Sequence, residues 1–343
     1  MRQASAPFAA LLGAALLAAG CASGPASAPT AAAGPAAATP KPATPATISA
    51  NQAMRPVVAA FDKRDLEDAA RGKLAELSDP LVKAADGRIV WDTRQFDFLK
   101  GNVPDTANPS LWRLQQMNQN QGLFKVADGI YQIRGYDIAG MTLVEGQTGW
   151  IVIDTMLTAP VARAGLKLAM YTLKSTKPVV AVIYTHSHAD HFGGFEGIYA
   201  AGLAKPEDVK SGNLPVIAPE GFVEEAISEN VSAGNIMARR AGYQYGNVLK
   251  PDAKGIITGA LGPALANDAS GLPIPNQVIT KDGQKVTIDG VEFVFYLAPH
   301  SEAPAEMIMY IPEWKALSMA EDVNHLQHNI YTLRGAQTRD ASV

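Results

Sequence analysis

"VVAVIYTHSHADHFGGFEG", residues 179–197, decides the reading of the chain. "VVAVIY" is wholly apolar and rich in β-branched side chains, the composition of a strand buried on both faces. It runs directly into three of the chain's six histidines, gathered with an aspartate within six residues. His186 and His188 are two apart, so on extended chain they point the same way. Asp190 and His191 follow, and Gly193 and Gly194 permit a sharp bend. Neutral imidazole and carboxylate are ligands suited to Zn²⁺. Four such groups are too crowded for one tetrahedral ion. They suit two adjacent ions, His186 with His188 on one and Asp190 with His191 on the other. The alternative, a polar loop of hydrogen-bonded histidines, is disfavoured because four ligand types at this spacing after a buried strand are rare by chance.

Outward from this stretch the pattern is that of sheets covered by helices, an α/β layered domain. Upstream, "GIYQIRGYDIAGMTLVEGQTGWIVIDT" reads as strands broken by the turn "EGQTGW". "APVARAGLKLAMYTLKS" reads as an amphipathic helix that stops before Pro178. "MRPVVAAFDKRDLEDAARGKLAEL" has helical apolar spacing throughout. Downstream, "LPVIAP" is a short strand and "EGFVEEAISENVSAGNIMARRAGYQYG" is mostly helix. "KVTIDGVEFVFYLAP" is a strand pair turning at Asp289–Gly290, and "AEMIMYIPEWKALSMAED" is another, turning near Pro312 to Trp314.

The N-terminus carries a different signal. Arg2 precedes the apolar run "FAALLGAALLAAG" and then Cys21, the chain's one cysteine, so no intrachain disulfide is possible. "AAGC" resembles the lipobox of bacterial lipoproteins, with Ala18 where leucine is usual. The expectation is a lipoprotein-type signal peptide over residues 1–21, lipidated at Cys21, and a protein of the periplasm or cell envelope held to the membrane by that anchor. An ordinary secretory peptide that discards Cys21 is the alternative. Residues 22–47 are nearly all Ala, Pro, Gly, Ser and Thr, too poor in apolar surface to fold, and read as a tether. The folded domain is expected over residues 48–343. The net charge of −4 is mild and the basic residues are scattered, so a nucleic-acid partner is not indicated.

The "THSHADH" motif resembles the HxHxDH signature of the metallo-β-lactamase superfamily. "NPSLWRLQQMNQNQGLFKVADGIYQIRGYDIAGMTLVEGQTGWIVIDT", "SEAPAEM" and "AEDVNHLQHNIYTLRGAQTRD" are similar to bacterial alkyl sulfatases of that superfamily, from about Ile48 onward. The resemblance implies an αββα sandwich, two Zn²⁺ ions per complete catalytic domain and, for the full-length family form, a homodimer. It puts metal ligands on His186, His188, Asp190, His191, Glu302 and Glu321, with Glu306 the weaker alternative to Glu302. It implies that Arg334 binds sulfate with Asn329 beside it, and arginine's planar fork suits two sulfate oxygens. His325 and His328 are left open as outer-shell groups or proton donors. Tyr243 and Tyr245 either line the pocket or, as helical tyrosines more often do, enter the core.

Two departures from the family pattern stand out. His300 occupies a position where glycine is usual, and is expected at the rim. The family's seventh ligand, a histidine well downstream of "TLRGA", has no counterpart, and the catalytic domain reads as truncated at its C-terminus. The expectation is therefore one firmly held zinc, one loosely held, and low activity. Two Zn²⁺ bring four positive charges, which Asp190, Glu302, Glu321 and a hydroxide cancel, so an anionic substrate needs a further cation such as Arg334. The implied reaction is hydrolysis of an alkyl sulfate of the dodecyl sulfate type. The alternatives are a thioesterase or lactamase of the same superfamily, which normally carry histidine where Glu302 stands, or a non-catalytic lipid-anchored remnant.

Overall fold

The computed structural model describes residues 40–323. Cys21, most of the tether, His325, His328, Asn329 and Arg334 lie outside the described residues. Helix α1 (Pro45–Ala59) begins three residues before the expected domain start, its first turn capped by the Thr44 hydroxyl, which accepts from Thr47 N at 3.2 Å. The long helical run expected over 54–77 is broken twice. The Asp62 carboxylate accepts from Arg64 N at 2.9 Å and starts α2 (Arg64–Ala70) afresh. Gly72, at φ +76°, then turns the chain into strand β1 (Lys73–Ala75), where Lys125 N donates to the Gly72 carbonyl at 2.7 Å. A Cβ at Gly72 would fall 2.2 Å from the Lys125 carbonyl oxygen, so close backbone pairing outweighs helical spacing here.

The chain continues through the hairpin β2 (Leu81–Lys83) and β3 (Ile89–Asp92), helix α3 (Pro109–Asn118), and the meander β4 (Gly122–Ala127), β5 (Ile130–Arg134), β6 (Met141–Glu145) and β7 (Trp150–Ile153). Helix α4 (Ala159–Leu173) crosses to β8 (Val179–Ile183), followed by α5 (Ala189–Phe192), α6 (Glu196–Ala200), α7 (Pro206–Lys210) and β9 (Val216–Pro219). Then come α8 (Phe222–Ile227), a π-helical turn (Ser228–Ser232), α9 (Gly234–Tyr245), β10 (Gln277–Ile279), and β11 (Gln284–Ile288), β12 (Val291–Leu297), β13 (Met307–Ile311) and β14 (Ala316–Ser318).

One sheet has eight strands in the order β1-β4-β5-β6-β7-β8-β9-β10, antiparallel up to β7 and parallel from β7 to β10. The other has four, β11-β12-β13-β14, all antiparallel. Strand β7 shows why the central strands are apolar at every position. Ile151 and Ile153 pack between the sheets with Phe293, Phe295 and Met309, while Trp150 and Val152 face the helix side with Val161 and Leu166 of α4. The class is the expected α/β layering: helices, large sheet, small sheet. The outer face of the small sheet exposes Tyr296 and Leu317. Among the described residues, no helix is long and apolar enough to cross a membrane.

Candidate metal centre

The parallel strands β7 and β8 end side by side, and each is followed by an acidic or histidine-bearing loop. Both strands finish at the same end of the sheet, where the ladder stops and side chains from neighbouring loops converge. After β8, Thr185 to His191 carry the motif, with Asp190 and His191 on the single turn of α5. Gly193 and Gly194 do not serve a bend that needs special dihedrals. Their Cβ atoms would fall 2.3 Å from the Leu157 oxygen and 2.1 Å from the Thr155 oxygen, so they let α5 press onto the loop after β7. The small sheet contributes the loop between β12 and β13, with Glu302, and the segment after β14, with Glu321. An isolated bridge between His186 and Glu306 stitches the two sheets together at this point.

Six side chains meet there. His186, His188, Glu302 and Glu321 bring one ligand atom each within 4.8 Å of one another, and Asp190, His191 and Glu321 do the same. His188 Nδ1 lies 3.0 Å and His186 Nε2 3.4 Å from Glu302 Oε2. Glu321 spans the two groups, with Oε2 3.8 Å from His186 Nε2 and Oε1 3.3 Å from His191 Nε2. The rings of His186 and His191 are 3.9 Å apart, and those of His186 and His188 4.8 Å. His186, His188, His191 and Glu302 are buried.

The outer nitrogens are tied down. Asp154, at the end of β7, accepts from Thr185 N (2.9 Å) on one oxygen, and from the Thr185 hydroxyl (2.8 Å) and His191 Nδ1 (2.8 Å) on the other. With its proton committed to Asp154, the Thr185 hydroxyl accepts from His186 Nδ1 at 2.9 Å. Both rings thus turn Nε2 toward the cluster, where these two buried atoms make no hydrogen bond among the described residues. Buried, unbonded imidazole nitrogens beside carboxylate oxygens are a donor set that fits a metal ion.

Electrostatics agree with a site that favours positive charge. Burial, aided by His191, holds His186 well below the usual histidine range. Burial also opposes a charge on His191, but Asp190, Asp154 and Glu321 together outweigh it and push that histidine well above its usual range. Burial likewise opposes ionisation of Asp190, yet His191 and the other histidines hold it ionised below the ordinary carboxylate range. Asp154, whose bonds orient His191, was not found from the sequence. Its place directly after "WIVI" is visible in the sequence, but the pairing of that strand beside the motif strand is not.

Other candidates are placed elsewhere. Glu306 is not among the clustered ligand atoms; its Oε2 accepts from Ala303 N (2.7 Å) and the Ser301 hydroxyl (3.1 Å), shaping the loop that carries Glu302. Asp322 Oδ1 accepts from Glu302 N at 3.2 Å. His300 is exposed, outside the cluster, at φ +64°. Tyr243 is 80% exposed, so the core reading of that tyrosine is corrected: it lies on the solvent side of α9, and Tyr245 is half-buried.

Residues 137–313 match the model of the metallo-beta-lactamase superfamily. The chain is 46% identical over 298 residues to an alkyl/aryl-sulfatase of Saccharomyces cerevisiae, covering 87% of this chain and 45% of that one. It is 46% identical over 297 residues to a linear primary-alkylsulfatase of Pseudomonas sp, covering 86% and 43%. Among solved structures, a stereoselective inverting sec-alkylsulfatase from Pseudomonas sp. superposes with a TM-score of 0.82 at 42% identity, over 88% of this chain and 47% of that one. The chain thus spans about half the length of the curated relatives it matches.

Proposed function

The chain belongs to the metallo-β-lactamase superfamily, and from that premise we propose that it hydrolyses alkyl sulfate esters, R–O–SO₃⁻, to alcohol and sulfate at a two-zinc site. The observation that carries the metal part is the Glu321 carboxylate, which turns one oxygen toward His186 and the other toward His191. In this reading His186, His188 and Glu302 would hold one ion and Asp190 and His191 the other, with Glu321 within reach of both. Zinc bound there would supply Lewis acidity and bring the ionisation of water close to neutral pH.

The protein's own side chains then do the positioning. Asp154 and Thr185 fix the tautomers of His191 and His186. Arg334, with Asn329, would orient the sulfate, His328 is a candidate proton donor to the leaving alcohol, and the alkyl tail would call for an apolar channel. The similarity to sulfatases named for primary, secondary and aryl esters supports the substrate class and leaves the chain length and branching to assay. Glu302 supports a sulfatase over a thioesterase or lactamase, which normally have histidine there. As an envelope protein lipidated at Cys21, it would meet detergent-like esters at the membrane surface.

The test is elemental zinc analysis with sulfate release from dodecyl sulfate, for wild type, His186→Ala and Asp190→Ala. Both variants should lose zinc and turnover; full zinc content in both would sink the ligand assignment. Hydrolysis in ¹⁸O-water then tells C–O from S–O cleavage by where the label lands. N-terminal mass spectrometry tests the anchor, which a mature chain beginning after Cys21 would exclude.

A further inference from the structure

Each imidazole of the motif has one nitrogen toward the cluster and one away from it. For His186 and His191 the outer atom is Nδ1, backed by Thr185 and Asp154. His188 is turned the other way. Its Nδ1 faces Glu302 at 3.0 Å, and its Nε2 points outward to a carboxylate oxygen of Glu229 at 3.4 Å. A small rotation of either side chain brings that separation to hydrogen-bond length.

Glu229 reaches this place from a distant part of the chain. It sits in the π-helical turn Ser228–Ser232 that joins α8 to α9. Such turns are rare and widen the helix by one residue, which re-aims the side chains they carry, and they are frequent at functional sites. The Glu229 side chain is only 17% exposed and that of His188 3%. Glu229 is not one of the clustered ligand atoms, so its carboxylate faces the back of His188.

We propose that Glu229 is a positioning residue for the metal centre: it accepts from His188 Nε2–H and so holds the tautomer whose Nδ1 lone pair faces the first ion. A neutral imidazole has one donor and one acceptor nitrogen, and a carboxylate on the outer one fixes which is which and raises the basicity of the other. The three motif histidines would then each have a dedicated acceptor behind them: Thr185, Glu229 and Asp154. This inference rests on the metal reading above.

The experiment measures zinc affinity by chelator competition, together with the melting temperature of the zinc-free protein, on the full chain. Glu229→Ala removes the acceptor and should weaken zinc binding about 10–100-fold. Glu229→Gln keeps an acceptor oxygen without the charge and should recover most of that loss. Glu224→Ala, an exposed glutamate on α8, should bind zinc as wild type does. The zinc-free melting temperatures should stay at the wild-type value. Wild-type affinity in Glu229→Ala overturns the inference and leaves the metal reading standing. Lost affinity accompanied by an equal fall in zinc-free melting temperature for both Glu229 variants overturns it as well, since the role is then structural. No zinc bound by the wild type means that the metal reading itself has failed.

Discussion

The two walls of the cluster are built by different physics. The motif wall is contiguous in sequence and held by backbone packing around one charged residue, Asp154. Thr155 N donates to the His191 carbonyl at 2.7 Å, Gly194 N to Met156 at 2.9 Å, and Asp154 N to Ile183 at 2.9 Å. The glutamate wall comes from two separate segments of the small sheet and is held by buried carboxyl groups, Glu306 under the Glu302 loop and Asp322 under Glu302 itself. Burial, reinforced by Glu302 and Asp322, pushes the Glu306 carboxyl up to about 9. Rigid packing on one side and titratable groups on the other imply that the walls fail under different stresses.

The largest effect should come from Asp154→Ala, which strips acceptors from Thr185 N, the Thr185 hydroxyl and His191 at once. At roughly 1–3 kcal/mol per buried group left unpaired, a loss of at least about 3 kcal/mol is expected in urea unfolding. A variant within about 1 kcal/mol of wild type would show that the motif wall does not hang on this carboxylate. Next is Gly194→Ala, whose methyl would fall 2.1 Å from the Thr155 oxygen. Forcing α5 off its neighbour should cost about 2–3 kcal/mol, and unchanged urea midpoints would contradict the close-packing account.

The glutamate wall should respond to pH instead. Glu306 binds a proton more tightly folded than unfolded, so its contribution is complete below about 4.5 and is lost as pH rises toward about 9. Glu306→Gln mimics the protonated form. In chelator-treated protein it should raise the melting temperature relative to wild type more at pH 8.5 than at pH 5; equal shifts at both would remove the titration argument. The smallest effect belongs to His300→Gly. The left-handed backbone at φ +64° is costly for histidine and free for glycine. A gain of about 0.5 kcal/mol with unchanged zinc affinity is expected; lost zinc would make His300 a ligand after all.

What the sequence made legible follows the same division. The motif wall could be read as a candidate site because its histidines and aspartate are adjacent and follow an unmistakable buried strand. Even there, Asp154 went unread, because pairing of β7 beside β8 is a tertiary fact. Glu302 and Glu321 were readable through family motifs alone, since nothing in "SEAPAEM" or "MAED" distinguishes a ligand from a surface glutamate. Glu229 was hidden by a π turn that helical periodicity does not register. The helix expected through Leu77 failed at Gly72 because edge pairing with β4 decided the local backbone.

The central claim is that one carboxylate, Glu321, is shared by two ions held between these walls. Anomalous scattering from zinc-loaded crystals, collected on both sides of the zinc edge, addresses it directly. The account predicts two peaks about 3.5–4 Å apart, one against His186, His188 and Glu302, the other against Asp190 and His191, with Glu321 between them. A single peak, or two peaks with Glu321 turned away from both, would contradict it.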